Sequence, residues 1–220
     1  MRGQERAQAV IDLLALRTLI IDAHLRDAIA AGAQQVVILG AGLDGRAYRM
    51  TELAAVPVFE VDHPVTQAWK RERATALTAT ARAVTFVPID FERDALGAAL
   101  IVARHQANLP TAWIWEGVVM YLTDQALHVT LQAVAACSAP GSTLIVNYME
   151  PYRRPLLLRV LLWVWGEPHI GMRSAESMAH TLVAHGFRVE TDSGVQEWAK
   201  RFGVGQLPDD LTPRLAVAKR

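Results

Sequence analysis

The chain has 220 residues, with 22 lysines and arginines against 22 aspartates and glutamates, and 52% of it is apolar. This suits one domain over residues 1–220 with a substantial core, and zero formal charge supplies no global field to gather nucleic acid or an anionic membrane. The single cysteine, Cys137, excludes an internal disulfide and reads as a small buried apolar residue in a cytoplasmic protein.

From Gln4 to Ala31 apolar residues recur at helical spacing (Val10, Leu13, Leu14, Ile20, Ile21, Leu25, Ile29), and Gly32 is a natural stop. Met1–Arg6 leads directly into that pattern, so no signal peptide is expected. The run Val36–Leu39 is continuously apolar, as a central parallel strand would be. Further strands are expected at Pro57–Val61, Val84–Ile89, Thr111–Glu116 and Ser142–Tyr148. Helices are expected between them, at Pro64–Ala79 and at Thr123–Cys137 with Thr123 as cap. The greasy stretch Pro155–Trp165 is too short to span a bilayer and contains Arg159; it lies in an expected insertion, residues 151–172. Beyond it come a helix capped by Ser174 and ended by Gly186, a strand at Phe187–Thr191, a helix near Val195–Phe202 and a strand at Arg214–Lys219. The alternation predicts an α/β fold, a doubly wound, mostly parallel sheet with helices on both faces and an antiparallel strand at its C-terminal edge.

In such a sheet, ligands lie beyond the carboxyl ends of the strands. After the first strand, Gly40-Ala41-Gly42 permits a tight turn and close backbone approach to a ligand. Gly40, Gly42 and Gly45 also have the spacing of a dinucleotide site, and the glycines alone fit either NAD or S-adenosylmethionine. Asp44 argues against a pyrophosphate, because a carboxylate at the helix start repels phosphate. The strand ends add acids: Glu60 and Asp62 on one side of the second strand, Asp90 followed by Phe91 after the third, and Glu116 after the fourth. Acids on one rim suit a cationic sulfonium donor, with Asp62 reaching ribose and Asp90 and Phe91 reaching adenine. Arg17 lies beside the apolar face of the first helix, where a guanidinium needs a partner. It reads either as a fork for the carboxylate of a methionine moiety or as a structural pair with Asp22, Asp44 or another acid.

The segments "VVILGAGLDGRAYRM", "VFEVDHP", "PIDFERD" and "EGVVMYL" resemble the leucine carboxyl methyltransferase family, which includes polyketide-tailoring bacterial O-methyltransferases; "GEPHIGMRSAESMAHTLVAHGFRVETDSG" is similar as well. The resemblance spans most of Arg17 to Gly203. It implies a class I methyltransferase fold, a Rossmann-like seven-stranded sheet with one antiparallel member in its last strand pair. It also implies a cofactor site in which Arg17 grips the amino-acid carboxylate and Gly40 and its turn approach the ligand through their backbone. Asp62 would bind ribose, Asp90 and Phe91 the adenine region, and Glu116 the amino-acid or sulfonium side. Gly45 stands where the family usually carries threonine, and few residues precede Arg17 where the family has a longer segment.

The function expected is methyl transfer from S-adenosylmethionine, leaving S-adenosylhomocysteine, to a carboxylate or hydroxyl of a small apolar, polyketide-like metabolite. The acceptor pocket is expected to draw on Tyr121, Tyr148, Glu150, Trp163 and His169, with His169 as the candidate base for an alcohol or phenol. No histidine pattern suggests a metal. The alternatives are an NAD(P)-dependent oxidoreductase and a truncated, non-catalytic S-adenosylmethionine-binding module.

Overall fold

The computed structural model describes residues 3–151 and 170–220. In chain order it contains α1 (Gly3–Ala30), β1 (Gln35–Leu39), α2 (Arg46–Arg49), β2 (Pro57–Asp62), α3 (Pro64–Ala74), β3 (Ala83–Pro88), α4 (Leu96–Val102) and β4 (Thr111–Trp115). These are followed by α5 (Asp124–Ala136), β5 (Thr143–Met149), α6 (Ala175–Ala184), β6 (Arg188–Gly194), α7 (Val195–Phe202) and β7 (Pro213–Lys219). The strands form one sheet in the order β3-β2-β1-β4-β5-β7-β6. The first five run parallel, while β7 enters between β5 and β6, antiparallel to both. The class I methyltransferase architecture expected from the sequence is therefore present, with the antiparallel strand one place in from the edge.

Side-chain alternation splits the core into two layers. Val36 and Ile38 of β1, with Ala112 and Ile114 of β4, pack under α1 and Trp198 of α7. Val37 and Leu39, with Trp113 and Trp115, pack under α4, α5 and α6. All five residues of β1 and of β4 are buried, since helices cover both faces. On α1 the residues facing the sheet are Leu16, Ile20, Ile21 and Leu25, whereas Val10 and Leu14 are exposed. Cys137 is buried, and burial raises its thiol pKa.

The predicted caps form. Thr123 accepts from the Ala126 amide at 3.1 Å and Ser174 from the Ser177 amide at 3.2 Å. Gly186 ends α6 at φ +78°. Two boundaries differ from expectation by more than one residue. α3 stops at Ala74, and Leu77 beyond it is exposed, so a further turn would bury no apolar side chain there. β6 continues through the polar Asp192-Ser193-Gly194 because pairing with β7 extends to Gly194 opposite Arg214. Among the described residues no helix is long and apolar enough to cross a membrane.

Candidate functional site

The strand order reverses between β1 and β4, and this is where an open α/β sheet presents a ligand crevice. The turn after β1 hangs from the end of β2: the Gly40 and Ala41 amides both donate to the Val61 carbonyl, at 2.8 and 2.9 Å. Asp62 then accepts from the Gly42 amide through Oδ2 at 2.6 Å and from His63 N through Oδ1 at 2.7 Å. Gly40 holds φ +68°, and a Cβ placed on it would stand 2.2 Å from Cγ2 of Val118, which lies just beyond β4. The turn separates two cavities, and Gly40 and Gly42 line both.

The first cavity, about 500 Å³, is charged. Arg17 projects from α1 and its Nε lies 2.7 Å from Oε1 of Glu116 at the end of β4. The other Glu116 oxygen accepts from Arg46 Nη1 at 2.8 Å. Arg46 is buried and also holds Asp44, through Nη1, and Asp22 of α1, through Nε at 2.7 Å. Arg49 completes the cluster on Asp22. Burial opposes the charge on Arg46, but Asp44, Glu116 and Asp22 outweigh it and raise its pKa. Burial likewise opposes ionisation of Asp22, and Arg49 and Arg46 together hold its pKa below the ordinary value. Arg17 is therefore paired, as one of its two readings required. Its partner is Glu116, which it shares with Arg46, while Asp22 and Asp44 pair with Arg46 and Arg49.

The second cavity, about 250 Å³, is more apolar, walled by Ile89, Phe91, Val118 and Leu122, with Asp62 and Asp90 at its edge. Phe91 packs 6.4 Å from the Trp115 ring, and Asp90 accepts from the Glu92 amide at 3.0 Å, which fixes its carboxylate. Of the expected cofactor residues, Arg17, Gly40, Ala41, Gly42, Asp62, Asp90, Phe91 and Glu116 all line one cavity or the other. Tyr121 and Leu43, both exposed, also line the first.

Three expected site residues are placed elsewhere. Glu60 shares the side of β2 that carries Asp62, but it lies one side-chain repeat deeper and is fully buried, with Lys70 Nζ 2.6 Å away. That contact lies outside hydrogen-bond alignment. Burial pushes the Glu60 carboxyl up to about 6, although Lys70 pulls the other way. Tyr148 is buried under the sheet and donates to Asp192 at 2.5 Å; burial first, then Asp192, raises its pKa far above the ordinary phenol value. An inaccessible, strongly held phenol is no base for an acceptor in the cavities. Glu150 lines a separate cleft with Thr212 and Arg214. Trp163 and His169 lie outside the described residues. The sequence reading missed Arg46, Lys70 and Val118; only the basic character of "GRAYR" directly after the turn pointed toward Arg46.

A dinucleotide phosphate would need the amides at the start of α2. That helix has four residues, and the Arg46 amide already donates to Asp44 Oδ1 at 2.7 Å. Gly45, the third glycine of the dinucleotide spacing, has φ −103°, and a Cβ there would meet nothing within 4 Å. Close helix-to-strand packing, the usual reason for that glycine, is absent. Gly45→Ala is accordingly expected to raise stability by about 0.5 kcal/mol, by restricting the unfolded chain, and to leave ligand affinity within about twofold. Thermal melts and calorimetry check both.

The sequence model of the leucine carboxyl methyltransferase family matches residues 1–135. The chain belongs to the leucine carboxyl methyltransferase family. The chain is 43% identical over 146 residues to a protein of Mycolicibacterium gilvum (strain PYR-GCK), covering 66% of this chain and 47% of that one. It is 35% identical over 222 residues to a protein of Mycobacterium avium (strain 104), covering 96% and 69%. Both are named as S-adenosyl-L-methionine-dependent methyltransferases, and the chain spans about half the length of the first. Solved structures of similar fold include a duf574 family protein from Streptomyces avermitilis, with TM-score 0.67, 17% identity and coverage of 94% of this chain and 82% of that one. Another is magnesium protoporphyrin IX methyltransferase from Synechocystis PCC 6803 with S-adenosylhomocysteine bound, with TM-score 0.60, 14% identity and coverage of 95% and 85%. Mitomycin 7-O-methyltransferase aligns with TM-score 0.55 and 18% identity, covering 89% of this chain and 53% of that enzyme.

Proposed function

We propose that this member of the leucine carboxyl methyltransferase family binds S-adenosylmethionine across the glycine turn and transfers its methyl group to an oxygen of a small apolar acceptor. The observation that carries the reading is the pairing of two unlike cavities around Gly40 and Gly42. One is lined by Arg17 and Glu116, matched to the carboxylate and ammonium of an amino acid. The other offers Asp62, Asp90 and Phe91, matched to ribose hydroxyls, an adenine amino group and its ring. The fit is also steric, since Val118 Cγ2 stands where a side chain on Gly40 would go, and only a glycine lets the backbone line both cavities there.

When bound, the cofactor supplies an electrophilic methyl group on a sulfonium. The chain's part is to orient and to exclude water. Arg17 fixes the amino-acid end, Asp62 fixes the ribose, and Phe91 packs against the base. Leu43 and Tyr121, exposed where they line the charged cavity, present an apolar rim to the acceptor. A carboxylate acceptor needs no base at neutral pH, whereas an alcohol or phenol must lose a proton. With Tyr148 buried and Glu150 in another cleft, a carboxylate or an acidic phenol is the acceptor chemistry that the described residues serve best.

Calorimetric titration with S-adenosylhomocysteine, S-adenosylmethionine and NAD tests the cofactor. The two adenosyl ligands are expected to bind and NAD is not. Asp62→Ala removes two charge-assisted hydrogen bonds to the ribose and should weaken S-adenosylhomocysteine on the order of 100-fold, with Asp62→Asn intermediate. Unchanged affinity in a folded Asp62→Ala protein would refute the site. Intact-mass detection over a panel of carboxylic acids and phenols then separates an enzyme from a module that binds without turnover.

A further inference from the structure

The acids around the first cavity are not free to act as a simple negative rim. Arg17, Arg46 and Arg49 face Asp22, Asp44 and Glu116, three charges against three, and both oxygens of Glu116 are occupied. Arg46 is the hub. It is buried, it touches all three acids, and its Nη2 has no hydrogen-bond partner. We propose that Arg46 is a specificity-determining positioning residue, which by occupying Glu116 makes the cavity accept an amino-acid zwitterion and reject the corresponding amine. The inference rests on the S-adenosyl reading above.

The physical reason is exchange of partners. A zwitterion gives its carboxylate to Arg17 and its ammonium to Glu116 as it separates them, so no charge is left alone. An amine without a carboxylate adds a further cation to a carboxylate that already holds Arg17 and Arg46, and no ligand anion offsets it. Arg46 on the second oxygen of Glu116 adds its own repulsion to that ammonium. Without the Arg46 charge, that oxygen is free, the cluster carries one net negative charge, and the amine binds without disturbing Arg17. Removing the Asp44 charge does the reverse: Arg46 then leans harder on Glu116, and the cluster becomes net positive.

The test compares affinities for S-adenosylhomocysteine and for its decarboxylated analogue, which keeps the amine. The parent protein should prefer S-adenosylhomocysteine. Arg46→Gln should narrow that preference on the order of 100-fold, as one unit charge acting over about 6 Å at an effective dielectric constant near 20 does. Asp44→Asn should widen it, and the Arg46→Gln/Asp44→Asn double variant, neutral again, should return toward the parent ratio. A purely structural Arg46 would weaken both ligands alike; an unchanged ratio in folded Arg46→Gln overturns the proposal. If Arg46→Gln does not fold, Asp44→Asn decides, with a wider ratio supporting the inference and an unchanged ratio overturning it. Binding of neither ligand by the parent protein overturns the S-adenosyl reading and this inference together.

Discussion

Gly40→Ala is expected to abolish measurable S-adenosylhomocysteine binding and to lower the melting temperature by roughly 5–15 °C. Two effects add. At φ +68° a Cβ meets its own backbone, at about 1–2 kcal/mol. The same Cβ would stand 2.2 Å from Val118 Cγ2, inside any tolerable contact, and forcing it in adds about 1–3 kcal/mol. Val118 cannot yield without cost, because it lines the apolar cavity and packs on the core layer that contains Trp115 and Leu122. The damage therefore falls on the place where both cavities meet. Gly40→Ala/Val118→Ala removes the clash and keeps the backbone strain. It should recover about half of the lost stability, and a double-mutant cycle by thermal denaturation measures that coupling. Two single substitutions whose effects simply add would show that the contact with Val118 is not what makes Gly40 necessary.

How much of this could be read from the sequence depended on how local the signal was. The strands showed as apolar runs because helices cover both sheet faces, and Thr123, Ser174 and Gly186 act within their own helices. Asp62 ends its strand and Asp90 stands two residues beyond its own, so strand direction alone delivers them to the rim. Glu60 shows where such reasoning stops. Alternation puts it on the same side as Asp62, but not at the same depth, and two residues of strand are about 6.6 Å. Whether an acid at that depth meets ligand or core depends on Lys70, which looks like a solvated lysine of α3 until the helix is docked. Arg46 was harder still. Its partners come from α1, the turn and β4, an arrangement that no spacing within "GRAYR" encodes. The charged rim was legible, and so was the need of Arg17 for a partner; the hub at Arg46 was not.

The same burial makes Lys70→Met a damaging substitution at a position that looks like surface in the sequence. Lys70 is only 5% exposed; its ammonium faces Glu60 and donates to the Asp44 carbonyl at 2.7 Å, so it joins the core acid to the glycine turn. Without it Glu60 is a buried carboxylate with no cation, which costs about 3–5 kcal/mol. The loss should depend on pH, and its sign follows from the parent protein. Burial raises the folded pKa of Glu60 to about 6 from an ordinary 4.5, so the folded state holds its proton more tightly than the unfolded chain does. The resulting stabilisation, about 2 kcal/mol, is complete below pH 4.5 and is lost as pH rises through 6. Lys70→Met removes the one influence that keeps the carboxyl from rising further, so its penalty should be small at pH 5 and grow steadily to pH 8. Urea unfolding at both pH values measures the difference. Lys70→Met/Glu60→Gln, with no charge to strand, should restore stability at pH 8 to within about 1 kcal/mol of the parent. Its affinity for S-adenosylhomocysteine should stay reduced, because the tether to Asp44 is still missing. A Lys70→Met penalty equal at pH 5 and pH 8 would mean that Glu60 is not the group left stranded.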